Sequence, residues 1–165
     1  MIFTTKAEYG VRLLVELGRQ TGGEPVSLKV IAEADGLPLA YLWRIVALLK
    51  KAELVESTRG AHGGYRLARD AATITMDEVV LALEGAVAPM DCFVDDRDRD
   101  GSESDGVGGR VLCSHESDGG RACATKLLWM RVQGGVIRAL AQTTLAELIA
   151  FSEVATPAAA EPAVA

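Results

Sequence analysis

Leu37-Pro-Leu-Ala-Tyr-Leu-Trp-Arg-Ile-Val-Ala-Leu-Leu-Lys-Lys-Ala-Glu-Leu-Val-Glu-Ser-Thr-Arg-Gly-Ala-His-Gly-Gly-Tyr-Arg-Leu-Ala-Arg-Asp70 is the stretch whose reading decides the fold. Leu39, Leu42, Ile45, Val46 and Leu49 recur at helical spacing, so a helix ending near Ala52 is expected, with Tyr41, Arg44 and Lys51 free to point away from its apolar face. Two short extended runs follow, Leu54-Val55-Glu56-Ser57 and Tyr65-Arg66-Leu67. Between them, Thr58 to Gly64 carries three glycines with Arg59 and His62, which is the composition of a tight, positively charged turn. Helix, strand, basic glycine turn and strand make the outline of a winged helix.

The flanking sequence completes that outline. Thr4 or Thr5 can cap a first helix running to about Arg19, with Ala7, Val11, Leu14, Val15 and Gly18 as its apolar stripe and Gly22 and Gly23 ending it. Ser27 caps a short helix through about Ala34, and Asp35-Gly36 turns into the helix quoted above, giving a helix-turn-helix. Thr75-Met-Asp-Glu78 is a capping box that opens a helix from Met76 to Glu84, with Val79, Val80 and Leu83 on its apolar side and Gly85 closing it. From about Pro89 to Ala122 the periodicity disappears and Gly, Ser and Asp dominate. Helical spacing returns from Ala124 to about Ala141 through Leu128, Val132, Val136, Ile137 and Leu140. Gly134-Gly135 inside it costs roughly 1 kcal/mol per glycine, which a close helix approach would explain. Thr144-Leu-Ala-Glu147 opens a last helix to about Ser152, and the Ala/Pro-rich tail from Thr156 is expected to be disordered. The expected fold is mainly α, with a winged helix-turn-helix over 1–85, a cysteine-containing loop over 86–123, a long and a terminal helix over 124–153, and a tail over 154–165.

A chain of 165 residues, 49% hydrophobic and 24% charged, is an ordinary globular sequence able to bury roughly 70% of its unfolded surface. An aromatic content of 5% makes its core aliphatic. No run is long and apolar enough to span a bilayer, and the first residues lack the features of a secretory signal, so the cytoplasm is the expected compartment. Three cysteines, an odd number, fit reduced thiols there. A net charge of -6 argues against a nucleic-acid partner, but its distribution reverses the inference. From Tyr41 to Arg69 six cations face Glu53 and Glu56, a net of +4, whereas from Cys92 to Gly120 eight acids face three arginines, a net of -5.

In a helix-turn-helix the second helix lies in the major groove while a wing reaches backbone or minor groove, so double-stranded DNA is the expected partner. Tyr41, Trp43 and Arg44 are placed to read base edges, Arg44 being suited to guanine O6 and N7. Arg59 is the wing's candidate for the minor groove or a phosphate, and Lys50, Lys51 and Arg66 are candidates for sequence-independent phosphate contacts. The plain alternative is solvated charge, with Tyr41 and Trp43 as packed aromatics. No enzyme is expected, since neither histidine joins a Ser or Asp in a catalytic arrangement. Asp96-x-Asp98-x-Asp100-Gly101 imitates the start of a calcium loop but has Val107 where the twelfth-position glutamate belongs.

Cys92, Cys113 and Cys123 are spaced C-x20-C-x9-C, too irregular for a zinc knuckle and without a CxxC pair. Thiolates are nevertheless the preferred ligands of iron-sulfur clusters, and three cysteines gathered in one stretch are hard to assign to packing; inert thiols are the alternative.

Thr5-Lys6 with Tyr9, Leu39-Ala-Tyr-Leu42, Leu48-x-Lys50-x-x-x-Leu54-Val55, Arg59-Gly60 and Gly63-Gly64-Tyr65 together resemble the Rrf2 family of bacterial winged-helix transcription regulators, over about residues 1 to 153. Its iron-sulfur and nitric-oxide-sensing members are the IscR, NsrR and RirA types. The resemblance implies a homodimer on a palindromic operator, joined through a dimerisation helix after the cysteine loop, here Ala124 to Ala141. It also implies that Cys92, Cys113 and Cys123 ligate an iron-sulfur cluster of two or four irons, although family spacings are shorter than the Cys92 to Cys113 interval. One family branch completes the site with a histidine three residues after the last cysteine, where Lys126 stands here. Another uses a carboxylate from the first helix of the partner subunit, and Glu8 stands at the matching place, with His115 ranked behind it. Glu8 can equally be a solvated residue or a partner of the helix dipole. The implied function is a dimeric DNA-binding regulator whose affinity follows a cluster sensing redox state, nitric oxide or iron status. The alternative is a cluster-free regulator of the same fold, controlled by thiol oxidation, zinc or a protein partner.

Overall fold

The helix-turn-helix forms as three helices: α1 (Thr5–Arg19), α2 (Leu28–Asp35) and α3 (Leu39–Lys51). Strands β1 (Val55–Thr58) and β2 (Gly64–Leu67) make the wing, and α4 (Met76–Glu84), α5 (Ala124–Gln142) and α6 (Leu145–Glu153) follow among the described residues. This computed structural model describes residues 3–20, 24–60, 63–85 and 124–154. Gly22, Gly23, His62, Cys92, Cys113, His115, Cys123, the expected loop over 86–123 and the tail from Thr156 lie outside the described residues. Among the described residues no helix is long and apolar enough to cross a membrane.

Four of the six described α-helix starts are written in the sequence as capping residues. The Thr4 hydroxyl accepts from the Lys6 amide at 3.2 Å and the Ser27 hydroxyl from the Lys29 amide at 3.3 Å, satisfying amides that have no partner inside the helix. Gly36, at φ 63°, ends α2 in the left-handed conformation that glycine adopts without strain. The capping boxes at Thr75/Glu78 and Thr144/Glu147 form as the sequence predicts. They also meet each other, which no local pattern announces: the Met76 amide donates to the Thr143 carbonyl and the Leu145 amide to the Ile74 carbonyl, both at 2.9 Å. This short bridge pins the start of α6 to the start of α4.

The core is aliphatic and shared by every element up to α6. Leu13, Leu14, Leu28, Leu42, Ile45, Leu49, Leu54, Val55, Ile74, Val79, Leu83 and Leu145 are all essentially inaccessible to solvent. Burying each such side chain contributes about 1.5–3 kcal/mol. Among the described residues no polar or charged residue is buried with them. The buried face of α1 is rotated from the expected stripe: Ala7, Gly10, Leu13, Leu14 and Leu17 are buried, whereas Val11 and Val15 are half-buried. The rotation follows from packing on both sides, because a Cβ on Gly10 would collide with Leu83 of α4 and one on Gly18 with Ile149 of α6. The two glycines let those helices lie close.

In the wing, β1 and β2 pair antiparallel with Val55 opposite Leu67 and Thr58 opposite Gly64, one residue beyond the strand limits expected at each side of the turn. Tyr65 also exchanges two 2.8 Å backbone hydrogen bonds with Val26, which ties the wing to the segment before α2. The close approach explains the glycine pair. A Cβ on Gly64 would lie 2.5 Å from the Val26 carbonyl group, and one on Gly63 would lie 2.5 Å from the Thr58 oxygen. In α5, by contrast, a Cβ on Gly135 would meet nothing within 4 Å and one on Gly134 only the Arg138 guanidinium at 3.3 Å. The helix approach expected there does not come from the described residues of this chain.

Glu84, the last residue of α4, closes the fold across to α1. Its Oε1 accepts from the Thr4 hydroxyl at 2.5 Å, the Thr4 amide at 3.1 Å and the Ala7 amide at 3.2 Å, and Lys6 Nζ lies 3.6 Å from Oε2. Burial alone would raise this carboxyl, but the Thr4 hydrogen bonds, the Lys6 charge and the Ala7 amide outweigh it and hold the group below the ordinary value of 4.5.

Two outcomes are expected in urea unfolding followed by circular dichroism. Gly64→Ala should destabilise the protein by about 2–3 kcal/mol, since backbone rather than a movable side chain fills the space; an unchanged midpoint would show that the wing can be displaced from Val26 without cost. Glu84→Gln should cost about 1–2 kcal/mol at pH 7. Because the folded Glu84 carboxyl is held below 4.5, its stabilisation is complete above that pH and fades as the pH falls through the folded value. Wild type and Glu84→Gln should therefore converge in acid.

Candidate nucleic-acid interface

The 3.6-residue repeat of α3 gives it two opposite faces. Leu42, Ile45, Val46 and Leu49 enter the core, and the stripe Ala40, Trp43, Arg44, Ala47, Lys50 and Lys51 faces solvent. No acidic residue occurs on this helix. Ala40 and Ala47 were not among the sequence candidates. The signal for them is the same spacing counted from the other side, one turn before and one turn after Trp43.

Trp43 is 52% exposed, unusual for so large an apolar side chain. Its ring stands edge-on to Tyr65 of β2, with centroids 6.1 Å apart and planes at 75°. A contact of this kind contributes about 0.5–1.5 kcal/mol, so the indole is braced against the wing rather than free to rotate. Tyr41 is placed differently. It is half-buried against the core and stands edge-on to Tyr9 of α1 at 5.8 Å and 87°, so the packed-aromatic alternative describes its position.

The cations divide into paired and unpaired. Lys50 Nζ donates to the Ser57 hydroxyl at 2.6 Å, bracing the end of α3 against β1. Arg66 is ion-paired with Glu56, its cross-strand neighbour, and Arg69 with Glu78 at 2.6 Å. Both arginines thus have their charge compensated at the surface, where such pairs contribute about 0–1 kcal/mol and can be exchanged for another anion. Arg44, Lys51 and Arg59 are exposed and have no ion pair among the described residues. Lys51 sits in the last turn of α3, where a cation complements the helix dipole. Arg59 lies beside Gly60, whose φ of 120° lets the wing turn back on itself.

Of the candidate metal ligands only Glu8 is described. It lies in the first turn of α1, exposed, its amide donating to the Thr4 carbonyl at 3.3 Å and its carboxylate making no hydrogen bond or ion pair among the described residues. The amides at this helix end are instead satisfied by Thr4 and Glu84. Among the described residues no group of three His, Cys, Asp or Glu is gathered as a metal site.

Known proteins share this architecture over nearly the whole chain. The chain is 34% identical over 149 residues to protein rrf2 of Nitratidesulfovibrio vulgaris, covering 90% of this chain and 87% of that one. It is 32% identical over 154 residues to the transcriptional regulator IscR of Vibrio vulnificus, covering 93% and 80% respectively. The structure of CymR, described as the global cysteine regulator of Bacillus subtilis, superposes with a TM-score of 0.69 at 30% identity, covering 92% of this chain and 98% of that one. Relatives of this kind regulate transcription and are not enzymes. A family model described as an iron-dependent transcriptional regulator matches residues 3–150, and with a two-stranded wing on a helical core the chain belongs to the Rrf2 family of transcription regulators.

Proposed function

We propose that the chain acts as a homodimer that binds a palindromic operator through α3 and the wing, and that an iron-sulfur cluster sets its DNA affinity. The observation that carries the DNA-binding part is the outward stripe of α3, which bears exposed Arg44 and Lys51 and no acid, next to Arg59 on the wing. With α3 in the major groove, Arg44 faces base edges while Lys50, Lys51, Arg59 and Arg66 lie near phosphates or the minor groove. Dimerisation is supported by α5, on which Leu127, Leu128 and Met130 are each more than half exposed and Ile137 is 40% exposed. A second copy packed there would cover an apolar face that the described part of this chain leaves open. This regulator works in the cytoplasm.

Three thiolates from Cys92, Cys113 and Cys123 and one carboxylate from Glu8 of the other subunit fit the ligand chemistry of iron. When bound, a cluster of two or four irons supplies metal whose redox state and coordination respond to oxygen, nitric oxide or iron supply. Glu8 suits the fourth position because it is exposed and has no capping duty in α1. A carboxylate oxygen binds iron more weakly than thiolate, so Glu8 marks the corner that opens first. Reaching from α1 of one subunit to the cysteines of the other, Glu8 would tie the two DNA-binding units together. The separation of the two α3 helices must match half-sites roughly 34 Å apart, so losing that tie need shift affinity by only about 1–3 kcal/mol to act as a switch. A second reading keeps the DNA site and uses the cysteines for thiol oxidation, zinc or partner control; the likeness to CymR, a cysteine regulator, favours it.

Two measurements test these readings. On a duplex selected from a random library, Lys51→Ala should weaken binding evenly across sequences and lower the salt slope by about one. Arg44→Ala should cost about 1–3 kcal/mol and relax preference at one base pair. Variants binding like wild type would remove α3 from the interface. Protein purified without oxygen should contain sulfide equal to its iron, with a visible band lost in Cys113→Ala and altered in Glu8→Ala at unchanged thermal stability. Colourless protein without sulfide after reconstitution would leave the thiol, zinc or partner reading.

A further inference from the structure

The outward stripe of α3 is more apolar than a base-reading surface needs to be. Trp43 stands at its centre, with the methyl groups of Ala40 and Ala47 exposed one turn to either side and Arg44 alongside. An indole offers one N–H donor and no acceptor, and alanine offers neither, so Ala40 and Ala47 can form no hydrogen bond with a base edge and Trp43 can donate only one. In the major groove one base alone presents an apolar group, the C5 methyl of thymine. Trp43 is not free to fold back onto its own helix, because Tyr65 braces it 6.1 Å away and Tyr65 is itself held by two 2.8 Å backbone hydrogen bonds to Val26. A rigid apolar plate therefore faces outward on a helix that also exposes Arg44 and Lys51, cations that draw it toward a phosphate backbone. Duplex DNA fits this combination of an apolar centre and exposed cations on one helix.

We propose that Trp43, flanked by Ala40 and Ala47, is a specificity-determining residue that selects thymine in each half-site by packing against its C5 methyl. This rests on the reading that α3 enters the major groove. Covering one methyl corresponds to about a fourfold change in affinity, and two symmetric half-sites to roughly tenfold or more. Tyr65 acts as a positioning residue, setting where the indole meets the groove.

The full-length protein, as isolated and after treatment with a chelator, would be used to select duplexes from a random library. The winning duplex would then be made with deoxyuridine in place of thymidine, which removes only the C5 methyl, one position at a time. The expected result is a several-fold loss at one symmetric pair of positions in wild type and no loss there in Trp43→Ala, whose fold is checked by circular dichroism. Enrichment of a sequence with equal affinity for thymine and uracil at every position would overturn the methyl reading and leave DNA recognition by α3 standing. A thymine preference that persists in Trp43→Ala and Trp43→Gln would overturn the assignment to Trp43. Failure to enrich any duplex in either form of the protein would overturn the groove reading itself, and this proposal with it.

Discussion

The burial of Leu42, Ile45, Val46 and Leu49 on one side of α3 is the constraint on which the rest of the molecule depends. Those four side chains contact the interior that α1, α2, α4 and β1 also build, so the rotation of α3 about its axis is set by several kilocalories of apolar burial rather than by its surface residues. A helix with one face fixed has its opposite face fixed as well. Ala40, Trp43, Arg44 and Ala47 are presented outward because no rotation exposes them less without exposing Leu42 or Ile45. The wing inherits the same frame. Glu53, at φ 56°, turns the chain sharply out of α3, the Leu54 amide returns to the Leu49 carbonyl at 3.0 Å, and Lys50 reaches Ser57.

Helix α4 holds the remaining parts in register. At its start, the Thr75 cap is bridged to the Thr144 cap, which locks α6 and the end of α5 to the core. At its end, Glu84 takes up the free amides of the first turn of α1. The chain passes from Gly85 to the cysteine-bearing residues and is described again at Ala124, where α5 packs against α4. A short helix thus stands between the DNA-facing half and the helix whose apolar face is uncovered, with Glu8 four residues from the Thr4 cap that Glu84 also grips. Any change that shifts α4 along its axis must break charge-assisted hydrogen bonds at one end or backbone hydrogen bonds at the other.

Much of this was legible in the residues alone, and for identifiable reasons. Thr75-x-x-Glu78 and Thr144-x-x-Glu147 announce helix starts because a capping box is a local hydrogen-bond pattern within four residues. The helices, the Gly36 turn and the two-stranded wing follow from periodicity and from glycine placed where backbone must turn or touch backbone. The charge of this winged segment was legible too, since segregating cations into Tyr41 to Arg69 is a property of composition. The details that local pattern did not give were those that depend on a neighbour. The stripe of α1 turned because Leu83 and Ile149 approach Gly10 and Gly18, and Tyr41 packed on Tyr9 because α1 crosses α3 beside it.

Sequence by itself therefore determined which segments are helix and strand, which face of α3 is apolar, and that a basic winged helix is joined to a cysteine-bearing stretch. Those features arise from interactions between residues a few positions apart, where spacing along the chain is spacing in space. Tertiary structure alone decided that Glu84 rather than Glu8 satisfies the start of α1, that Arg69 pairs with Glu78, and that Tyr65 braces an exposed Trp43. Each of these joins residues farther apart in sequence than that, Glu84 to Thr4 across 80 positions, and such a pairing is set by how helices pack and not by any local pattern.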